Sequence, residues 1–343
     1  MFKLETIIRP NILALKPYSS AREEFTGKEG IFLDANENPF GQLNRYPDPF
    51  QTELKQKLAQ LKNVSIENIF IGNGSDEVID LVFRIFCSPA VDKALSFSPT
   101  YGMYEVAAAI NAVDLIQIPL NEEFQIELNR TENFLTDSKL KLIFVCSPNN
   151  PSGNSIATKE IHYLLENFNG IVFIDEAYID FSSSKSWIAL LAKYPNLIVS
   201  QTFSKAWGLA AARIGTAYAS KEIIQLFNKV KAPYNVSELN QKAALTAMQN
   251  RAEFEKNIES ILEEKEKLIT ALSQLELVTK IYPSDANFLL LEVADADKIY
   301  RELVKQKVII RNRNTIIQNC IRITIGTAQE NAQLLSALKK ISL

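Results

Sequence analysis

The stretch KLIFVCSPNNPSGNSIATKEIHYLLENFNGIVFIDEA (141–177) decides the fold. KLIFVC (141–146) is a short apolar run, and SPNNPSGNS (147–155) is rich in turn formers. ATKEIHYLLENF (157–168) has the apolar spacing of an amphipathic helix, with Thr158 as its expected N-cap. GIVFIDEA (170–177) is apolar from Ile171 to Ile174, as in a strand buried on both faces. Strand, helix, strand in this order is the building unit of a parallel sheet.

The same alternation extends in both directions. IENIFIGNG (66–74) precedes the helical SDEVIDLVFRIF (75–86), and KALSFSP (93–99) precedes YGMYEVAAAI (101–110). NLIVSQTFS (196–204) and RIGTAYAS (213–220) add two more strand candidates. The expected class is therefore α/β with a mostly parallel central sheet. Residues 237–273 read as helix throughout, with Glu and Lys on the outer face. Beyond them, strand candidates ANFLLLEV (286–293), KVIIRN (307–312) and CIRITIG (320–326) alternate with helices, a smaller α+β pattern. The expected organisation is an N-terminal arm at 1–40 joining the small domain, a large domain at 41–240 and a small C-terminal domain at 241–343.

Composition narrows the function. The chain has 343 residues, 47% hydrophobic and 22% charged, with a net charge of -3, so nothing in the bulk calls for nucleic acid or a membrane surface. No segment reaches the roughly 18 apolar residues of a membrane span, and the N-terminus lacks the continuous apolar stretch of a signal peptide. A cytoplasmic location is expected. Cys87, Cys146 and Cys320 are scattered and odd in number, which fits small core residues rather than disulfides or a metal site. His162 is the single histidine and sits in a helical pattern, so a Ser-His-Asp triad or a His-rich metal centre is disfavoured.

In open α/β sheets, ligands bind beyond the carboxyl ends of the strands. Asp175 ends the run 170–174. Lys205 follows the strand 196–200, with Thr202, Ser204 and Arg213 close in sequence. GNGSDE (72–77) joins a strand to a helix, where glycines and free N–H groups suit an anion. Asn150 lies in the loop after 141–146, Tyr178 follows Asp175, and Tyr101 lies in SPTYGMY (98–104). Each feature taken singly also fits a cap, a turn, a surface charge or core packing. Together they are the set that pyridoxal 5'-phosphate requires: an acid for the pyridine nitrogen, an amine for the aldehyde, donors to the phenolic oxygen, a stacking ring and an anion cradle. Arg322 lies in the apolar strand CIRITIG, a costly place for a guanidinium without an anion or an acid. Arg311 is a second such candidate.

SPNNPSG, FIDEAY, TFSKAWGLAAARIG and IRITIG resemble the signature blocks of fold-type I, class I/II-like aminotransferases. LKPYSSARE (15–23), LDANENPFG (33–41), NRYPDP (44–49), SPTYGMY and CSPNNPSG make the chain most similar to the histidinol-phosphate aminotransferases, over nearly its whole length and in matching order. The resemblance implies a PLP-dependent transferase fold of type I and transamination of L-histidinol phosphate with 2-oxoglutarate, a step of histidine biosynthesis. It implies Lys205 as the cofactor lysine and Asp175 as the pyridinium partner, with Asn150 and Tyr178 on the phenolic oxygen. Tyr101 would stack on the ring. Ser75, Asp76, Thr202, Ser204 and Arg213 would hold the cofactor's phosphate side. Arg311, Arg322, Tyr18 and Asn36 would line the substrate site. Tyr46 would reach the cofactor of a neighbouring subunit, because such enzymes are homodimers with shared sites. Ser152, Trp207, Ala211 and Thr216 depart from the family's usual residues and bear on pocket shape. Aromatic amino-acid transamination, threonine-phosphate decarboxylation and a non-catalytic binding protein on the same scaffold are the competing readings.

Overall fold

Strand β5 (Ile171–Asp175) is buried at every position, as are β6 (Leu197–Thr202) and β7 (Ile214–Tyr218). Such strands need cover on both faces, and successive side chains supply it alternately. Ile143, Val145, Val172, Ile174 and Val199 enter one apolar layer; Leu142, Phe144, Ile171, Phe173 and Ile198 enter the other. The computed structural model describes residues 2–18 and 30–342. Its main sheet adds β1 (Ile69–Asn73), β2 (Lys93–Ser98), β3 (Asp114–Pro119) and β4 (Leu140–Cys146), in the order β1-β7-β6-β5-β4-β2-β3. Every pairing from β6 to β3 is parallel, whereas β7 runs antiparallel to both β6 and β1. The sheet is thus mostly parallel, and the carboxyl ends of β1, β2, β4, β5 and β6 share one edge.

Helices cover both faces. After the short α1 (Pro10–Ala14), helix α2 (Thr52–Lys62) packs on one face. Helices α3 (Ser75–Phe86) and α4 (Met103–Ile110) pack on the other. The one-turn α5 (Glu132–Leu135) precedes β4, and α6 (Thr158–Asn167) joins the α2 face. Thr158 is the first helical residue of α6; the N-cap is Ala157, which offers no side-chain acceptor. Helix α7 (Lys221–Val230) returns to the α3 face.

The helical stretch expected at 237–273 forms as two helices, α8 (Glu238–Gln249) and α9 (Arg251–Leu272), which meet at Asn250. The second sheet contains β8 (Val278–Ile281), β9 (Phe288–Val293), β10 (Arg311–Asn312) and β11 (Cys320–Thr324), all antiparallel, in the order β10-β11-β9-β8. Strand β8 was not among the sequence candidates; it is short, at the sheet edge and exposed at its middle two positions. Leu289, Leu291, Ile321 and Ile323 face α9, α10 (Ala296–Lys305) and α11 (Ala328–Lys339). By alternation Phe288, Leu290, Cys320 and Arg322 face the main sheet's domain.

Ile7, Ile8 and Ile12 pack into the α3–α7 layer of the large domain, and the Arg9 amide donates to the Ile85 carbonyl at 3.0 Å. Residues 2–14 therefore pack on the helices of one face of the main sheet, because the apolar flank of α3 is what their isoleucines cover. Residues 19–23 of the LKPYSSARE block lie outside the described residues. No helix among the described residues is long and apolar enough to cross a membrane.

Candidate active site

The shared strand edge opens into a cavity of about 580 Å3 between the two domains. Five cationic side chains, Lys205, Arg213, Arg311, Arg313 and Arg322, line it against two carboxylates, Asp76 and Asp175. That imbalance suits an anionic occupant.

Asp175 is the last residue of β5 and only 3% exposed. The Tyr104 hydroxyl donates to its Oδ2 at 2.8 Å, and the Ala177 amide to its Oδ1 at 3.1 Å. Burial pushes its pKa up to about 6, with those two hydrogen bonds opposing the shift. A cation placed on this carboxylate from the cavity would reverse the penalty.

Lys205 lies three residues past β6, open to the cavity, with its Nζ 5.6 Å from the Tyr178 ring centre. The surrounding walls hold its pKa below the ordinary lysine value, through desolvation first and then Arg322; Asp175 pulls the other way. Tyr178 is fixed edge-on to Phe288, ring centres 5.0 Å apart. The Asn150 amide reaches the Tyr178 hydroxyl at 3.5 Å, so these two polar groups converge on one point of the cavity wall.

At the other end, β1 passes through Gly74 into α3, whose first residues are Ser75 and Asp76. Arg213 lies beside this turn, donating to the Ala210 carbonyl at 3.1 Å and contacting Ser204 Oγ at 3.5 Å. The Asp76 carboxylate accepts from the Tyr101 hydroxyl at 3.1 Å and from Arg213 at 3.4 Å. It holds the ring and the guanidinium in place together. Thr202 Oγ1 accepts from the Ser204 amide at 3.1 Å, which fixes the loop leading to Lys205. Gly74 has φ +81, and a Cβ there would lie 2.6 Å from the Arg213 guanidinium.

On β11, Arg322 donates to Asn150 Oδ1 and stands 5.1 Å over the Phe288 ring. No carboxylate among the described residues pairs with it or with Arg311. Among the described residues neither arginine thus has the acid that would offset its cost in an apolar strand. Desolvation draws the Arg322 pKa down, and its Nε is buried without a partner.

Sequence reasoning missed Tyr104 and Arg313. Tyr104 sits inside SPTYGMY, but its target is 71 residues away on another element. Arg313 had a usable signal, since it lies two residues beyond Arg311 on the same face. Three expected site residues are not brought to this cavity within one chain. Tyr18 is 70% exposed and outside it. Asn36 and Tyr46 line a separate cavity of about 390 Å3, with Tyr46 stacked on Tyr234 at 4.4 Å. Of the departing residues, Trp207 stacks on Phe254 of α9 at 3.9 Å, Thr216 and Ser152 are buried, and Ala211 is exposed.

The family model described as aminotransferase class I and II matches residues 26–338. The chain is 51% identical to the histidinol-phosphate aminotransferase of Cytophaga hutchinsonii, over 98% of this chain and 99% of that one. It is 50% identical to that of Parabacteroides distasonis, over 100% of both. Among solved structures it is similar to the histidinol-phosphate aminotransferase of Sinorhizobium meliloti in complex with pyridoxal 5'-phosphate, with a TM-score of 0.79 and 23% identity over 89% of this chain and 88% of that one. That last likeness concerns the fold alone; the sequence matches and the family model, spanning nearly the whole chain, place it more closely: the chain belongs to the class I and II aminotransferases.

Proposed function

We propose that the chain transaminates L-histidinol phosphate with 2-oxoglutarate, using pyridoxal 5'-phosphate, as a homodimer with shared active sites. The observation that carries the reading is the order of groups along one cavity. A buried acid, an amine with lowered pKa, an anion cradle and a set of arginines without acidic partners succeed one another there. Names of relatives at about 50% identity over the full chain support histidinol phosphate as the donor.

The residues fit the cofactor. Asp175 is a buried carboxylate that lacks a bonded cation and would meet a protonated ring nitrogen. Arg213, Ser204, Thr202 and the free N–H groups at Ser75 and Asp76 form an anion cradle at a helix N-terminus. Asn150 and Tyr178 would hold the phenolic oxygen, and Tyr101 would cover one face of the ring. When bound, the cofactor supplies a carbonyl conjugated to an electron-withdrawing ring.

The protein's own work is positioning and proton transfer. Lys205 would take the proton from the donor's Cα and hold it on its amine for return on the same side, and its lowered pKa favours the neutral amine that this needs. Arg322 and Arg311 hold the anionic end, phosphate on one substrate and carboxylate on the other, as a planar fork permits. Tyr46 would reach the cofactor of a neighbouring subunit, and Tyr18 and Asn36 would line the substrate site. The exposure of Ile31, Leu33 and Phe40, at 91%, 88% and 82%, supports a partner over this segment.

The test compares histidinol phosphate, phenylalanine and threonine phosphate as substrates. Histidinol phosphate should give the highest kcat/KM with release of a keto product and no carbon dioxide. Preference for phenylalanine, or decarboxylation of threonine phosphate, would replace the reading. Lys205→Ala should abolish turnover while the variant keeps its melting temperature within a few degrees; ordinary turnover would remove Lys205 from the mechanism.

A further inference from the structure

Strand alternation puts three arginines on one wall of the cavity. Arg311 pairs directly with Arg322 across β10 and β11. The Arg313 amide donates to the Cys320 carbonyl at 2.9 Å, which continues that ladder by two residues. Arg311, Arg313 and Arg322 therefore share a face, and all three line the cavity that holds Lys205. Like charges opposed across a ladder are destabilising. No carboxylate among the described residues pairs with any of the three, and the Nε atoms of Arg313 and Arg322 are both buried without a hydrogen-bond partner. The crowding is felt at Arg313, whose pKa is lowered to about 10 by desolvation first and then by Arg322 and Arg311. It remains a cation at neutral pH.

A carboxylate carries one charge, and one bidentate guanidinium with a second nearby satisfies it. A third guanidinium adds its desolvation cost with little return for a monoanion. A phosphate monoester carries a second charge above a pKa of roughly 6 and has three acceptor oxygens. We propose that Arg313 is a specificity-determining residue that makes this wall prefer a phosphate-monoester dianion to a carboxylate. The inference rests on the reading of the cavity as an aminotransferase site with a phosphorylated donor.

The test uses the holoenzyme in wild-type, Arg313→Gln and Arg313→Lys forms. Single-turnover rates are measured with histidinol phosphate and with glutamate. In Arg313→Gln, kcat/KM for histidinol phosphate should fall at least about tenfold relative to that for glutamate, mainly through KM, as for loss of one charge-assisted contact. Arg313→Lys should recover part of the loss, since it keeps the charge and loses the fork. Equal falls for both substrates, or an unchanged ratio, overturns the proposal.

A second measurement does not depend on the donor's identity: calorimetric binding of methyl phosphate, with acetate as the monoanion control. Wild-type affinity for methyl phosphate should tighten as pH rises from about 5.5 to 7.5, because the dianion fraction grows through a pKa near 6. Arg313→Gln should lose most of that gain and leave acetate binding the less affected. A pH response equal to wild type sinks the assignment of Arg313. If the wild-type enzyme refuses histidinol phosphate, the donor assignment fails, and the methyl phosphate titration still decides the role of Arg313. If Arg313→Gln does not fold, Arg313→Lys decides alone: affinity for methyl phosphate between wild type and none supports the role, and wild-type affinity overturns it.

Discussion

Asp175 carries a burial cost that a cation placed on its carboxylate would remove. Its carboxyl is 3% exposed, and burial raises its pKa from 3.8 to about 6. A carboxyl with a raised folded pKa keeps its proton longer in the folded state. Stability of the cofactor-free protein therefore falls as pH rises from about 4 to about 6, and the full penalty persists above that window. The shift corresponds to at most about 3 kcal/mol at neutral pH. Asp175→Asn should thus stabilise the cofactor-free protein by roughly 1–3 kcal/mol at about pH 7.5, with about half that gain near pH 5. If Asp175 meets the cofactor's ring nitrogen as proposed, the same change in the loaded enzyme should slow turnover by ~100-fold or more. Urea unfolding at the two pH values, beside steady-state kinetics, checks both. A variant less stable than wild type at the higher pH would show that the carboxylate is already compensated. Tyr104 belongs to the same account, because its hydroxyl donates to the carboxylate and offsets part of the cost of keeping the charge there.

Between residue and domain, the packing of β7 against the β1–α3 turn shapes the anion cradle. Gly74 bridges to Ile214, and a Cβ on Gly215 would be driven into the backbone of Gly74 and Ser75. Strand β7 is antiparallel here and places Arg213 at its start, beside the N-terminus of α3. The close approach sets the guanidinium beside the first amides of the helix, where one anion could meet both. Gly215→Ala should force the turn outward, costing about 1–3 kcal/mol of stability as overpacking does. It should also weaken cofactor retention, because the amides at Ser75 and Asp76 move away from Arg213. Thermal melting and the rate of cofactor loss on dialysis measure the two effects. A variant that melts and holds cofactor like wild type would show that the turn has slack.

Across the whole molecule, one chain leaves part of its expected site elsewhere. Tyr18, Asn36 and Tyr46 do not line the Lys205 cavity of their own chain, and apolar side chains at Ile31, Leu33 and Phe40 face outward beside them. A homodimer would cover those side chains and carry Tyr46 to a neighbouring cofactor. Leu33→Asp combined with Phe40→Asp should then shift the protein toward monomer in sedimentation experiments. Activity should fall by on the order of tenfold or more, although every residue of the Lys205 cavity is untouched. A monomeric wild type, or a monomeric variant with full activity, would end the shared-site reading.

Residue order alone determined the alternation of strand and helix and the chemistry at strand ends. Asp175, Lys205 and Asn150 were legible as strand-end positions because each follows an apolar run, Asp175 directly and the other two within a few residues of its end, and the buried status of such a run is local information. Arg322 was legible because a guanidinium inside CIRITIG contradicts the strand's own pattern. Tertiary structure decided the partners. Tyr104 meets Asp175, Asp76 turns its carboxylate to Arg213, and residues 2–14 lie on α3 only because strands distant in sequence become neighbours. The antiparallel course of β7 and the edge strand β8 likewise depend on which neighbour each strand finds. Local periodicity assigns a residue to a face; what stands opposite that face is set by the packing of the whole chain.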